Sequence, residues 1–148
     1  MTKPDNRYRF SITIPVRFSD LDALGHVNNA RFLTYMEEAR LAYWTHLFPL
    51  DPENIKSLGL ILADAKLSFR SPATLGETLR VWTRVASFGT KSFVQEYRIE
   101  TLGSQRLIVE GSTVVVMFEY HNNRSIAIPG DVKETITGFE TEQPSDRG

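Results

Sequence analysis

One stretch concentrates the side chains that could do chemistry: Arg17-Phe18-Ser19-Asp20-Leu21-Asp22-Ala23-Leu24-Gly25-His26-Val27-Asn28-Asn29. It holds two carboxylates and an imidazole among turn and cap residues. Asn is among the best helix N-caps, so the spacing predicts a helix starting at Asn28 or Asn29. A helix start presents unpaired amide N–H groups and the positive end of the helix dipole. Such groups polarise a carbonyl and stabilise an oxyanion. A carboxylate beside them can attack the carbonyl carbon or activate water. The loop therefore holds the parts for acyl-transfer hydrolysis without a Ser-His-Asp triad. The same residues also make an ordinary capped turn, with Asp20 or Asp22 as plain loop aspartates and His26 as a satisfied buried histidine.

The rest of the chain narrows the chemistry. Zero cysteines exclude disulfides, a thiol nucleophile and thiolate-bound zinc. His26, His46 and His121 show no metal-ligand spacing, so no metal and no cofactor is expected. Seventeen Lys and Arg against eighteen Asp and Glu give a net charge of -1, without the basic footprint of a nucleic-acid binder. The 148 residues fit one domain, 1–148, with a polar tail after about 138 expected to fray. The N-terminal MTKPDNRYRF has no apolar signal region. The densest aliphatic run, Val114 to Phe118, is far short of the roughly 20 apolar residues of a membrane span. The expectation is a soluble cytoplasmic protein with no nucleic-acid partner and no membrane insertion.

Period-two alternation over 8–18 (Tyr8, Phe10, Ile12, Ile14, Val16, Phe18) predicts a strand with one buried face. Pro15 cannot donate to a ladder and assigns it to an edge or a bulge. From Ala30 to about Phe48, apolar residues at three- and four-residue spacing predict a helix buried along most of its girth, ended by Pro49 and Pro52. Residues 58–70 alternate again, with Ile61, Ala63, Ala65, Leu67 and Phe69 on one face and Asp64, Lys66, Ser68 and Arg70 on the other. Strands follow at about 77–88, 91–102 and 105–119, with a short last strand near 124–128. Residues 114–118 are apolar on both faces, as in a central strand. The class is α+β, a single helix against one antiparallel sheet.

The run DLDALGHVNNARFLTYMEEAR resembles the acyl-CoA thioesterases of the hot-dog fold, nearest the 4-hydroxybenzoyl-CoA thioesterase-like group. Weaker echoes are Phe69-Arg70-Ser71-Pro72-Ala73 and Lys91-Ser92-Phe93-Val94-Gln95; together they span roughly residues 10–120. The resemblance implies an antiparallel sheet wrapped around one long central helix, and a homodimer or homotetramer with active sites at subunit interfaces. It implies hydrolysis of acyl-CoA to a free acid and coenzyme A, the coenzyme entering only as part of the substrate. The family's catalytic carboxylate matches Asp22, its carbonyl-polarising amide matches the backbone of Asn29, and His26 matches the histidine of HVNN in a supporting role.

Some positions depart from the pattern. Leu24 stands where the acyl-carrier-protein branch has asparagine, and Asp64 is either a counterpart of that branch's second carboxylate or a strand-surface aspartate. Gly89 and Thr90 replace two arginines that contact the coenzyme, leaving Lys91, Arg70 or Arg84 for the nucleotide. Glu37 and Glu38 on the helix read as structural or interface charges, Glu37 with Arg40 three residues on. A dehydratase of the same fold ranks low because no prolines follow His26. The other alternative is a hot-dog protein that binds acyl-CoA or an acyl-carrier protein without turnover.

Overall fold

A computed structural model of the chain describes residues 7–49 and 59–147. The elements run β1 (Phe10–Pro15), a 3-10 turn (Phe18–Asp20), α1 (Asn29–Leu47), β2 (Leu60–Phe69), β3 (Thr78–Phe88), β4 (Ser92–Thr101), β5 (Leu107–Glu119), β6 (Arg124–Ser125), α2 (Gly130–Phe139) and β7 (Ser145–Asp146). Strands β1-β3-β4-β5-β2 form one antiparallel sheet in that order; β6 pairs with β5 and β7 joins β3 in parallel. β1 therefore lies at an edge, as Pro15 requires, and β5 is paired on both sides, as its two apolar faces require.

Helix α1 lies on one face of the sheet. Phe32, Tyr35, Met36, Ala39, Tyr43 and Trp44 recur at three- and four-residue steps and are buried. The first half of this stripe packs on Leu79, Val81, Tyr97, Ile99 and Val109, and the second half on Val85, Phe88, Phe93 and Val115. The helix thus runs from the end of the sheet where β4 finishes to the end where β4 begins. Each buried large apolar side chain contributes roughly 1.5–3 kcal/mol, so this contact fixes where the helix N-terminus stands. Met36 sits close because Gly111 on β5 carries no Cβ; one built there would lie 3.1 Å from Met36 Cε and 2.7 Å from the Lys66 carbonyl oxygen.

Four expectations are corrected. Helix α1 is buried along one stripe, while Arg31, Thr34, Glu37, Leu41 and His46 on other faces are exposed. The alternation of β2 breaks at a register shift between Leu62 and Asp64. An extra residue reverses the facing of everything before it, so Ile61 pairs with Val116 on the outer face rather than sharing the face of Ala65. The last short strand covers Arg124–Ser125 only. The tail expected to fray after about 138 is held by a preceding helix: Val132, Ile136 and Phe139 form the apolar side of α2 and pack on the end of the core beside Tyr43 and Trp44. Glu140 after it is buried, and β7 pairs with Ser87 and Phe88.

Candidate active site

The loop between the 3-10 turn and α1 is closed by its own backbone. Leu21 and Val27 form an antiparallel bridge, the Asp22 amide donates to the His26 carbonyl at 2.8 Å, and the Gly25 amide donates to the Asp22 carbonyl at 3.1 Å. Gly25 makes the turn at φ +82, a conformation other residues rarely adopt. A second attachment holds the loop to residues 73–74: the Val27 amide donates to Ala73 O at 2.9 Å, and His26 bridges Thr74.

Asp22 is exposed, and its Oδ1 accepts the amides of Leu24 at 2.9 Å and His26 at 3.2 Å. These bonds orient the carboxylate through one oxygen and leave Oδ2 for a substrate or a water. Among the described residues no donor meets Oδ2.

Asn28 is the N-cap of α1, and its Oδ1 accepts the Ala30 amide at 2.9 Å. The Arg31 amide turns back to the Asn28 carbonyl at 2.8 Å. The Asn29 amide, at the first helical position, has no residue four places back within the helix to bond. Among the described residues no acceptor meets it, so the cap leaves this donor open at the positive end of the helix.

Asp22, His26 and Asn29 line one groove of about 280 Å³ with Val27, Phe32, Phe69, Arg70, Ser71 and Pro72. Phe32 and Phe69 form its apolar side, ring centroids 6.0 Å apart. The groove thus brings together Asp22, the first residue of the helix, an apolar wall and a cation. Arg70 is exposed there and pairs with Glu110 at 3.3 Å.

The structure does not bring every expected residue to this groove. Asp64 pairs with Val114 in register, and Val114 alternates with Val115, which faces the helix. Asp64 therefore stands on the outer face of the sheet. Lys91 precedes β4 at the far end of the sheet, its carbonyl accepting the Met117 amide at 2.8 Å. Leu60 pairs with Met117, so the length of β2 separates Lys91 from Phe69, roughly 30 Å at ~3.3 Å per residue. Arg84 is buried on the outer face, paired with Glu96 at 2.7 Å and Glu142 at 3.6 Å. Arg40 does not meet Glu37; it turns inward and donates to the Tyr97 hydroxyl at 3.0 Å. Among the described residues no group of three or more His, Asp or Glu could hold a metal ion.

Sequence reasoning gave no role to three residues that build this region. Asp20, the first aspartate of the pair, is 4% exposed and accepts the Tyr35 hydroxyl at 2.6 Å. Ser71 and Pro72 line the groove; in the sequence only the Phe69–Ala73 run at a strand end marks them.

A long central helix on one antiparallel sheet, with Asp22 and Asn29 lining a groove at the helix start, is hot-dog architecture. The model of the thioesterase-like superfamily matches residues 16–136, and the chain belongs to that superfamily as a thioesterase of the hot-dog fold. A thioesterase of Thermus thermophilus, crystallised with coenzyme A and Zn, is similar at 29% identity, covering 92% of this chain and 97% of its own, with a TM-score of 0.80. The Synechocystis 1,4-dihydroxy-2-naphthoyl-CoA thioesterase Slr0204 is 25% identical, covering 86% and 94%, with a TM-score of 0.75. The long-chain acyl-CoA thioesterase FadM of Escherichia coli is 25% identical over 126 residues, 83% of this chain and 93% of FadM. No helix among the described residues is long and apolar enough to cross a membrane.

Proposed function

We propose that this protein hydrolyses acyl-CoA thioesters to a free carboxylate and coenzyme A. The observation that carries the reading is the open Asn29 amide lining the same groove as the oriented Asp22 carboxylate. The thioester carbonyl oxygen accepts the Asn29 N–H, and the helix dipole stabilises the charge that develops on it. Asp22 Oδ2 then attacks the carbonyl carbon. The C–S bond breaks, coenzyme A leaves as thiolate, and water hydrolyses the mixed anhydride. Alternatively Asp22 takes the proton of a water that attacks directly. His26 supports the loop through its backbone bonds to Asp22 and its bridge position opposite Thr74. Similar proteins named for coenzyme A binding or for acyl-CoA substrates support the choice of thioester.

The assembly belongs to the proposal. Among the described residues β2 pairs on one side only, and it is exposed along most of its length. A second copy laid along this edge, in a dimer or tetramer, supplies the groove's missing wall. Arg70 stands ready to contact the nucleotide phosphates from within the chain. Lys91 reaches a groove only on a neighbouring copy, and Asp64 would act only across such an interface.

The test is an assay of the purified protein on acyl-CoAs of varied length and aromatic character, with a thiol reagent reporting free coenzyme A. Hydrolysis in the wild type and its loss in Asp22→Asn is the expected result. Tight binding without turnover of any acyl group would establish the binder instead.

A further inference from the structure

We propose that Asp20, acting through Tyr35, is the positioning residue that sets the Asp22 loop against the Asn29 amide. The inference rests on the hydrolase reading above. Three parts of the chain meet at Asp20. Its Oδ2 accepts the Tyr35 hydroxyl at 2.6 Å from the second turn of α1 and the Arg17 amide at 3.0 Å from the end of β1. Its carbonyl accepts the Asn28 amide at 2.8 Å, directly before the helix. Its Oδ1 lies 3.8 Å from Arg31 Nε in the first turn.

Asp20 and Asn28 are therefore the two posts between which the Asp22 loop hangs. The Leu21–Val27 bridge starts immediately inside them, and the Asp22 and His26 backbones pair next. Tyr35 is 1% exposed and rigid in the core, with Phe32 edge-on to it at 5.8 Å. A rigid side chain thus transmits the position of the helix to the loop. Displacements of about 1 Å in reacting groups can cost a hundredfold in rate, which is the scale on which such a post acts.

The chemistry of the site calls for a carboxylate. Every group presented to it is a donor or a cation: a phenol, an amide and a guanidinium. An ionised carboxylate is acceptor-only and satisfies all three, and its charge is favoured at a helix N-terminus. Asparagine would turn an NH₂ toward one of these donors.

Tyr35→Phe removes one hydroxyl and keeps the ring packing, so it is the variant of choice. Asp20→Asn is the second. Both are compared with wild type by steady-state kinetics on an acyl-CoA the wild type hydrolyses, by amide hydrogen exchange over residues 21–31, and by thermal unfolding. The expected result is kcat at least tenfold lower with KM within twofold. Exchange at Leu24, His26 and Ala30 rises, and the unfolding midpoint of Tyr35→Phe stays within a few degrees. A kcat within twofold of wild type, a loss confined to KM, or unchanged loop exchange overturns the proposal. Absence of wild-type turnover would instead overturn the hydrolase reading, while the exchange comparison still tests the clamp.

Discussion

The Tyr43 hydroxyl donates to Glu140 Oε2 at 2.7 Å, and the Val85 amide donates to the same oxygen at 2.8 Å. One buried carboxylate thus joins the central helix, the end of α2 and the middle of β3. The reason lies in the sheet. β1 pairs with β3 only as far as Phe10 opposite Thr83, so beyond that point the β3 edge has lost its strand partner. Glu140 takes the Val85 amide there, and β7 covers Ser87 and Phe88. Replacing Glu140 by Ala strips the Val85 amide and the Tyr43 hydroxyl of their acceptor. Each orphaned buried donor costs about 1–3 kcal/mol. Urea unfolding of Glu140→Ala should show that loss as a lower midpoint with an unchanged slope.

The same residue gives a pH dependence. Burial holds the Glu140 carboxyl above the ordinary value of 4.5, against the opposing bonds from Tyr43 and Val85 and the charges of Arg84 and Arg9. Its Oε1 is sealed and meets no partner. The folded state therefore binds this proton more tightly than the unfolded chain does. The stability it contributes is complete below pH 4.5 and is lost as pH rises through the raised folded value. Unfolding midpoints measured across that window should fall with pH in the wild type. The Glu140→Gln variant should lack this component.

The loop that holds Asp22 is legible in the sequence because its parts are contiguous. Most of the bonds by which Asp22, Gly25, His26 and Asn28 build one turn and one cap reach no more than four residues, as Leu24 to Asp22 and Ala30 to Asn28 do. The main strands are legible for the same reason, since alternation is a local property. What escapes reading is set by distance or by a single inserted residue. Asp20 finds Tyr35 fifteen residues away, on a stripe that reads only as core. Glu140 finds Tyr43 across 97 residues. The bulge at β2 reverses a face without altering composition. Helix α2 did leave a signal, Val132, Ile136 and Phe139 at helical spacing, submerged in a polar tail.

Asp22→Asn separates chemistry from architecture. Asparagine keeps a carbonyl oxygen able to accept the Leu24 and His26 amides, so the loop should hold and stability should change by less than about 0.5 kcal/mol. It removes the charge that the proposed reaction uses to attack or to take a proton. A loss of about 10²–10⁴ in kcat is expected, with little change in the binding of a non-hydrolysable acyl-CoA analogue. Equal activity in the two proteins would remove Asp22 from the reaction.

Gly25 tests the loop from its backbone. A Cβ there would meet nothing within 4 Å, so any effect of substitution comes from the positive φ alone. Gly25→Ala should cost roughly 1–2 kcal/mol, and Gly25→Asn less, because Asn visits this conformation more readily. If the turn positions Asp22, kcat should fall in the same order. Thermal unfolding and kinetics on the pair check both halves of the expectation.

The edge of β2 that no other described strand pairs with makes the last prediction. Ile61 and Leu62, 37% and 38% exposed, stand on opposite faces of this strand beside the bulge. An exposed apolar edge strand invites pairing with another chain. If a second copy binds here, the wild type should sediment as a dimer or tetramer. Ile61→Lys combined with Leu62→Lys would set like charges against each other across the interface and should release monomers. Because β2 leads directly into Phe69 and Arg70 of the groove, the released monomer should also lose most of its turnover. Sedimentation and activity measured on the same samples should fall together. A monomer with full activity would show that one chain completes the site by itself.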